Sequence, residues 1–224
     1  MQLIAVDTFS DLVSTVFDGE KNAACWQRNL EGDFAEIVAK LLLKENITEV
    51  FAEDLLTLSL SENGNKARKI ILQDMQSLVN FGAQPSLNLL KSYERDDVFD
   101  FIATDVYSFH VDRSPFGSDT FLCTYFGAAS DILPNHQAIQ KILIPEIRQK
   151  LKGLHLGPDE DFEAFLTENY FDLHYEPLPN ANPINLGLGN LWRLSVDHPD
   201  QKTPPCIHRA PMENLGELRL LLIC

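Results

Sequence analysis

Six histidines, at positions 110, 136, 155, 174, 198 and 208, are where metal or acid–base chemistry is sought first in this chain of 224 residues. His110 opens the stretch His110-Val111-Asp112, at the end of an apparent strand over 106–111. Side chains two apart on a strand share a face, so His110 and Asp112 stand side by side. An imidazole and a carboxylate so placed suit two adjacent positions around a divalent metal. A distant histidine would complete the two-histidine, one-carboxylate set of non-haem Fe(II) oxygenases, which leaves three metal positions open. His208, in Pro205-Cys206-Ile207-His208-Arg209-Ala210-Pro211, follows late enough for the strands of a two-sheet barrel to intervene. Arg219 then falls in the last strand, over 218–223, where an unpaired charge is costly and a guanidinium fork fits a carboxylate.

The motif alone is weak. With 6 histidines among 33 Asp+Glu, random order produces about one His-x-acid pair, and the chain has two. The second, His174-Tyr175-Glu176, is set aside because Pro177 follows at once and too little chain separates it from His208. The order of the set is the stronger signal: His-x-Asp closing a strand, a late histidine, then an arginine in the final strand. Blander roles stand beside it. Asp112 has Arg113 and Arg209 as possible ion-pair partners, and Arg219 a buried Asp or Glu. Cys206, two residues before His208, suits a zinc site if it ionises, since thiolates favour zinc. Gly187-Leu188-Gly189 lacks the third glycine and strand–loop–helix context of a dinucleotide loop.

The elements that must position these residues fall into two parts. The first, 1–83, reads as helical. Asp33 is an N-cap with Glu36 three residues on, and Phe34, Ile37, Val38, Leu41 and Leu42 form one buried stripe up to Asn46. Residues 49–60 read as helix, Asn63-Gly64-Asn65 as a loop, and Ala67 to Val79 as a second amphipathic helix closed by Gly82. The second part, 84–224, reads as strands over 87–93, 101–104, 106–111, 120–126, 173–175, 187–196 and 218–223. A helical insertion near 135–170 interrupts them, with one helix over 135–151 disturbed by Pro145 and another over 159–170. An α+β chain packed as one compact unit is expected.

Composition narrows the partners. At 45% hydrophobic and 23% charged, the chain is an ordinary globular one. Its 33 acidic against 18 basic residues give a net charge of −15, and the bases are scattered, so nucleic acid and anionic membrane are not expected partners. No apolar run approaches the ~20 residues of a membrane helix. The start lacks a basic segment and acquires acids early, so no signal peptide is expected. Cys25, Cys123, Cys206 and Cys224 form no CxxC motif, and free thiols in a cytoplasmic protein are expected.

Several segments carry a family resemblance: Phe109-His110-Val111-Asp112-Arg113, the strand Asp119-Thr120-Phe121-Leu122-Cys123-Thr124-Tyr125-Phe126-Gly127, and His208-Arg209-Ala210-Pro211 with Arg219-Leu220-Leu221-Leu222. With Ala23-Ala24-Cys25-Trp26-Gln27-Arg28, they resemble a bacterial family termed domain of unknown function 1826, whose members often lie beside zinc-homeostasis genes. The chain departs from that pattern after Gly127, at Ala128-Ala129-Ser130-Asp131. The same landmarks are similar to the Fe(II)/2-oxoglutarate-dependent oxygenase superfamily. That resemblance implies N-terminal helices packed on a jelly-roll-like, cupin-type double-stranded β-helix. It implies iron on His110, Asp112 and His208, and Arg219 on the distal carboxylate of 2-oxoglutarate. Tyr125 or Thr124 would be a second donor to that carboxylate. The two alternate in facing, and Tyr125, which shares a face with Cys123 and Phe121, is the expected one. Arg113 or Arg209 would orient an anionic substrate at the mouth. The alternatives are a zinc-holding accessory protein without turnover and an interaction module on a degenerate cupin scaffold.

Overall fold

The computed structural model describes residues 3–224. The front of the chain is not only helical. It runs through β1 (Leu3–Val6), α1 (Phe9–Ser14), β2 (Ala23–Trp26), α2 (Phe34–Lys40), β3 (Ile47–Val50), α3 (Ala52–Thr57) and α4 (Glu62–Phe81). Asp33 does cap α2, its Oδ1 accepting the Glu36 amide at 2.9 Å. The helix stops at Lys40, short of Asn46. The expected helix over 49–60 is part strand and part helix: β3 alternates exposed and buried positions, the pattern of a sheet, before α3 begins. Asn63-Gly64-Asn65 lies inside the first turn of α4, capped by Ser61 Oγ on the Gly64 amide at 3.1 Å. The Glu36 carboxylate occupies the space a Cβ would take at Gly64 and would have to move for any other residue.

The remaining elements are β4 (Ser86–Leu90), β5 (Phe109–His110), β6 (Asp119–Phe126), β7 (Asp131–Leu133), β8 (Ala138–Gln140), α5 (Pro145–Leu154), α6 (Phe162–Glu168), β9 (His174–Pro177), β10 (Ile184–Asn185), β11 (Leu191–Ser195), β12 (Ile207–Arg209) and β13 (Arg219–Ile223). Residues 101–104 form no strand. Ile102 is instead buried with Ile142, Leu151 and Phe162 under the inserted helices. Pro145 begins α5 rather than disturbing a longer helix, since its missing N–H is no loss in a first turn. Ahead of it stand two short 3₁₀ turns and β8.

Six α-helices and two sheets result among the described residues. The larger sheet has the order β1-β2-β11-β6-β13-β4-β3 and the smaller β10-β7-β12-β5-β9-β8. Every pairing is antiparallel except β1 with β2. Strands β1 to β3 belong to the larger sheet, so the front of the chain is continuous with the β core. One apolar cluster, with Leu122, Trp192, Leu194 and Leu221 from the larger sheet and Ile132 from the smaller, joins the two. The other face of the larger sheet packs under α2, α3 and α4. Gly127, at φ 84°, turns the chain from β6 toward β7. A Cβ there would stand 2.6 Å from the Leu218 carbonyl oxygen, so only glycine lets β13 start this close.

A buried ion pair ties helix to sheet. Arg28 Nη1 donates to Asp74 Oδ1 of α4 at 2.7 Å, and Tyr125 Oη of β6 donates to Asp74 Oδ2 at 2.7 Å. Asp74→Ala leaves a buried guanidinium and a phenol unpaired. It is expected to cost about 3–5 kcal/mol in a urea titration, and a loss under 1 kcal/mol would contradict that account. A second prediction concerns pH. Glu36 is held down to about 2, first by Lys40 and then by the Ser61 hydroxyl and amide. Its folded-state pKa lies below the unfolded value of about 4.3, so its contribution is present above that pH and lost as pH falls toward about 2. The melting-temperature gap between wild type and Glu36→Gln should therefore shrink from pH 6 to pH 2, and a constant gap would contradict it.

Candidate metal centre

His110 ends β5 and His208 sits in the middle of β12, where antiparallel pairing sets the two directly opposite each other. Their ring centroids are 4.5 Å apart. Asp112 follows His110 by two residues, and the expected side-by-side placement appears. Asp112 Oδ1 is 4.0 Å from His110 Nε2, and Oδ2 is 3.6 Å from His208 Nε2. One ligand atom from each of the three residues can be chosen so that all lie within 4.8 Å of one another, a grouping that could hold a metal ion. Two donors each about 2.1 Å from a metal stand about 3–4 Å apart, so small side-chain adjustments suffice. The rings are nearly buried while the carboxylate is about a third exposed, so the centre faces solvent on the Asp112 side.

The surroundings aim the ligands. His110 Nδ1 lies 2.7 Å from the Ser108 carbonyl and His208 Nδ1 3.2 Å from the Cys206 carbonyl. A carbonyl only accepts, so each Nδ1 carries a proton and each Nε2 is the nitrogen turned toward the centre. Burial and the neighbouring His208 push His110 down to about 4, so its ring is neutral and ready to ligate at pH 7. Thr120 Oγ1, on the inward face of β6, donates to Asp112 Oδ2 at 2.5 Å and fixes that carboxylate. Burial works against ionisation of Asp112, but His208 and the Thr120 hydroxyl outweigh it and keep the group below its ordinary value.

Arg219 opens β13 on the same inward face. Its Nη2 donates to Thr124 Oγ1 at 3.0 Å and Ser130 Oγ at 2.9 Å, while its Nε is buried with no partner. Burial lowers its pKa, against the pull of Tyr93 and Glu213. Thr124, not Tyr125, thus accompanies Arg219, and the expectation for Tyr125 is corrected. Strand β6 is buried on both faces, and its odd residues Phe121, Cys123 and Tyr125 turn toward the helices. Ser130, in the stretch that departs from the resembled family, is a partner the sequence did not suggest.

The remaining candidates have other employment. Arg113 is paired with Asp197 at 2.7 Å and Asp172 at 2.6 Å. Arg209 is paired with Asp131 at 2.9 Å rather than with Asp112, and its guanidinium lies over the Phe109 ring. Cys206 joins the apolar cluster between the sheets, and burial pushes its thiol up, which disfavours a thiolate ligand. All four cysteines are free. The discounted His174 lands directly across β9 from His110, with ring centroids 5.9 Å apart, though it stands outside the ligand cluster. Among the described residues, no helix is long and apolar enough to cross a membrane.

Thr120→Val keeps the shape of the side chain and removes the hydrogen bond to Asp112. Calorimetric titration with Zn²⁺ should show affinity falling about 10–100-fold, and unchanged affinity would deny Thr120 its orienting role. No family model matches the chain, and no curated protein or solved structure matches it.

Proposed function

We propose that the chain is a non-haem Fe(II)/2-oxoglutarate-dependent oxygenase on a double-stranded β-helix, of the kind its motifs resemble. Strand pairing supports the fold. With β8 and β9 set aside as an insertion that extends the smaller sheet beside β5, the strands β4, β5, β6, β7, β10, β11, β12 and β13 pair first with last, second with seventh, third with sixth and fourth with fifth. That is one long hairpin of eight strands rolled up, with alternate pairs falling in opposite sheets. The observation that carries the function is the pairing of two features in one interior. A two-histidine, one-carboxylate cluster lies at one end of β6, and a buried arginine that makes no ion pair, with Glu213 acting on it only at longer range, lies at the other.

Each group fits a task. His110, Asp112 and His208 would hold Fe(II) on one side and leave room for other ligands. Bound Fe(II) with 2-oxoglutarate supplies activation of O₂ for substrate oxidation. Arg219 would take the distal carboxylate, giving its orphaned Nε an acceptor, while Thr124 holds the guanidinium in place. The nearly buried rings keep bulk water from the histidine side. Because Arg113 and Arg209 are already matched to aspartates, neither is assigned an anionic substrate.

One observation favours a second reading, a zinc-holding protein without turnover. Leu122, the inward residue between Thr120 and Thr124, packs with Leu221, Trp192 and Cys206 along the path between metal cluster and arginine. A metal carrier needs no such path and no arginine.

The test is anaerobic addition of Fe(II) and then 2-oxoglutarate to metal-stripped protein, watching for the visible metal-to-ligand charge-transfer band. The band should appear in wild type and vanish in His208→Ala. Arg219→Ala should keep the metal and weaken 2-oxoglutarate about 10–100-fold. No band, with tight Zn²⁺ binding indifferent to Arg219→Ala, would replace the oxygenase with the zinc-holding reading.

A further inference from the structure

On the outer side of the larger sheet, where β6 begins and β13 ends, lies a groove of about 600 Å³ that has no part in the metal cluster. Its apolar walls are Phe81 at the end of α4, Phe116 in the connection to β6, Phe121 on β6 and Cys224, and Gln84 and His198 add polar ones. Gly82, in the left-handed conformation at φ 102°, ends α4 and swings Ala83 and Gln84 round to form one side. Phe81 and Phe121 meet edge to face with centroids 5.6 Å apart. Phe116 is 68% and Phe81 48% exposed, a cost in water that a ligand between the rings would remove.

We propose that this groove binds a neutral, apolar small molecule, aromatic or alicyclic. Three observations select that class. The volume lies within the ~300–1,000 Å³ of small-molecule sites and is walled by several elements, whereas a protein partner needs a broader face. No lysine or arginine lines the groove and the chain as a whole carries −15, which disfavours an anion, while His198, the one imidazole in the wall, has a buried Nδ1 without a partner that one polar substituent of the ligand can meet. The one carboxylate in the wall, Asp119, is already paired with Arg193 at 2.6 Å, so a cation finds no free partner. The groove is distinct from the metal centre. Asp119 and Phe121 face outward, while Thr120 between them turns inward to Asp112.

The full chain is titrated with Nile red, a neutral dye that brightens in apolar surroundings, and with the anionic anilinonaphthalene sulfonate. Nile red should bind saturably at one site per chain, and the anionic dye about tenfold or more weakly. Phe116→Ala, at an exposed position, should weaken Nile red about tenfold. Ser118→Trp, whose indole would fill the groove, should abolish binding, and His208→Ala should leave it unchanged. Unsaturable brightening, or equal affinity in Phe116→Ala and Ser118→Trp, would overturn the site. An anionic dye binding as tightly as Nile red would overturn the ligand class, and loss in His208→Ala would overturn its separation from the metal centre.

Discussion

Strand β6 lies in the middle of the larger sheet with both faces covered, and each of its side chains must suit one of two dry environments. Outward, Phe121, Cys123 and Tyr125 meet the helices, and the one phenol among them is satisfied by Asp74. Inward stand Thr120, Leu122 and Thr124. Two hydroxyls in an apolar interior are tolerable only with partners. Thr120 finds Asp112 and Thr124 finds Arg219, so the candidate site's own polar groups answer the needs of the central strand.

Arg68, Arg95 and Arg219 reach no carboxylate, and of these only Arg219 is buried. Arg28, Arg113, Arg148, Arg193 and Arg209 each reach a carboxylate at 2.9 Å or closer. In a protein with almost twice as many acids as bases, a buried guanidinium could readily have been matched in the same way. Instead it has two neutral hydroxyls and an idle Nε. A buried cation without an ion pair weakens the folded state, and Tyr93 and Glu213 offset that cost only in part, since burial still lowers the pKa of Arg219.

Much of this site was legible because two rules of strand geometry are strict. Alternation placed His110 beside Asp112, and chain order picked out His208 and Arg219. Alternation failed at Tyr125 for an equally physical reason: with both faces of β6 buried, hydropathy cannot tell the inward residues from the outward ones. The strands β1, β2 and β3 have only four residues each, too few to show a period against the helices around them. The insertion misled because Pro145 breaks a helix from within yet starts one from its first turn. His174 was discounted on spacing along the chain, while cross-strand register, which a sequence does not display, set it beside His110.

The nested pairing of β4 with β13 and β5 with β12 has a consequence for how the molecule comes into being. Contacts between strands so distant along the chain close large loops and form slowly. A ribosome releases His110 and Asp112 long before His208, and β5, only two residues long, has little of its own to hold them in register. Until β12 arrives, His110 and Asp112 stand without the third member of the cluster. The cluster is therefore completed late, only once β12 has paired with β5, and any metal it took would be selected then, with zinc a strong competitor against iron for such donors.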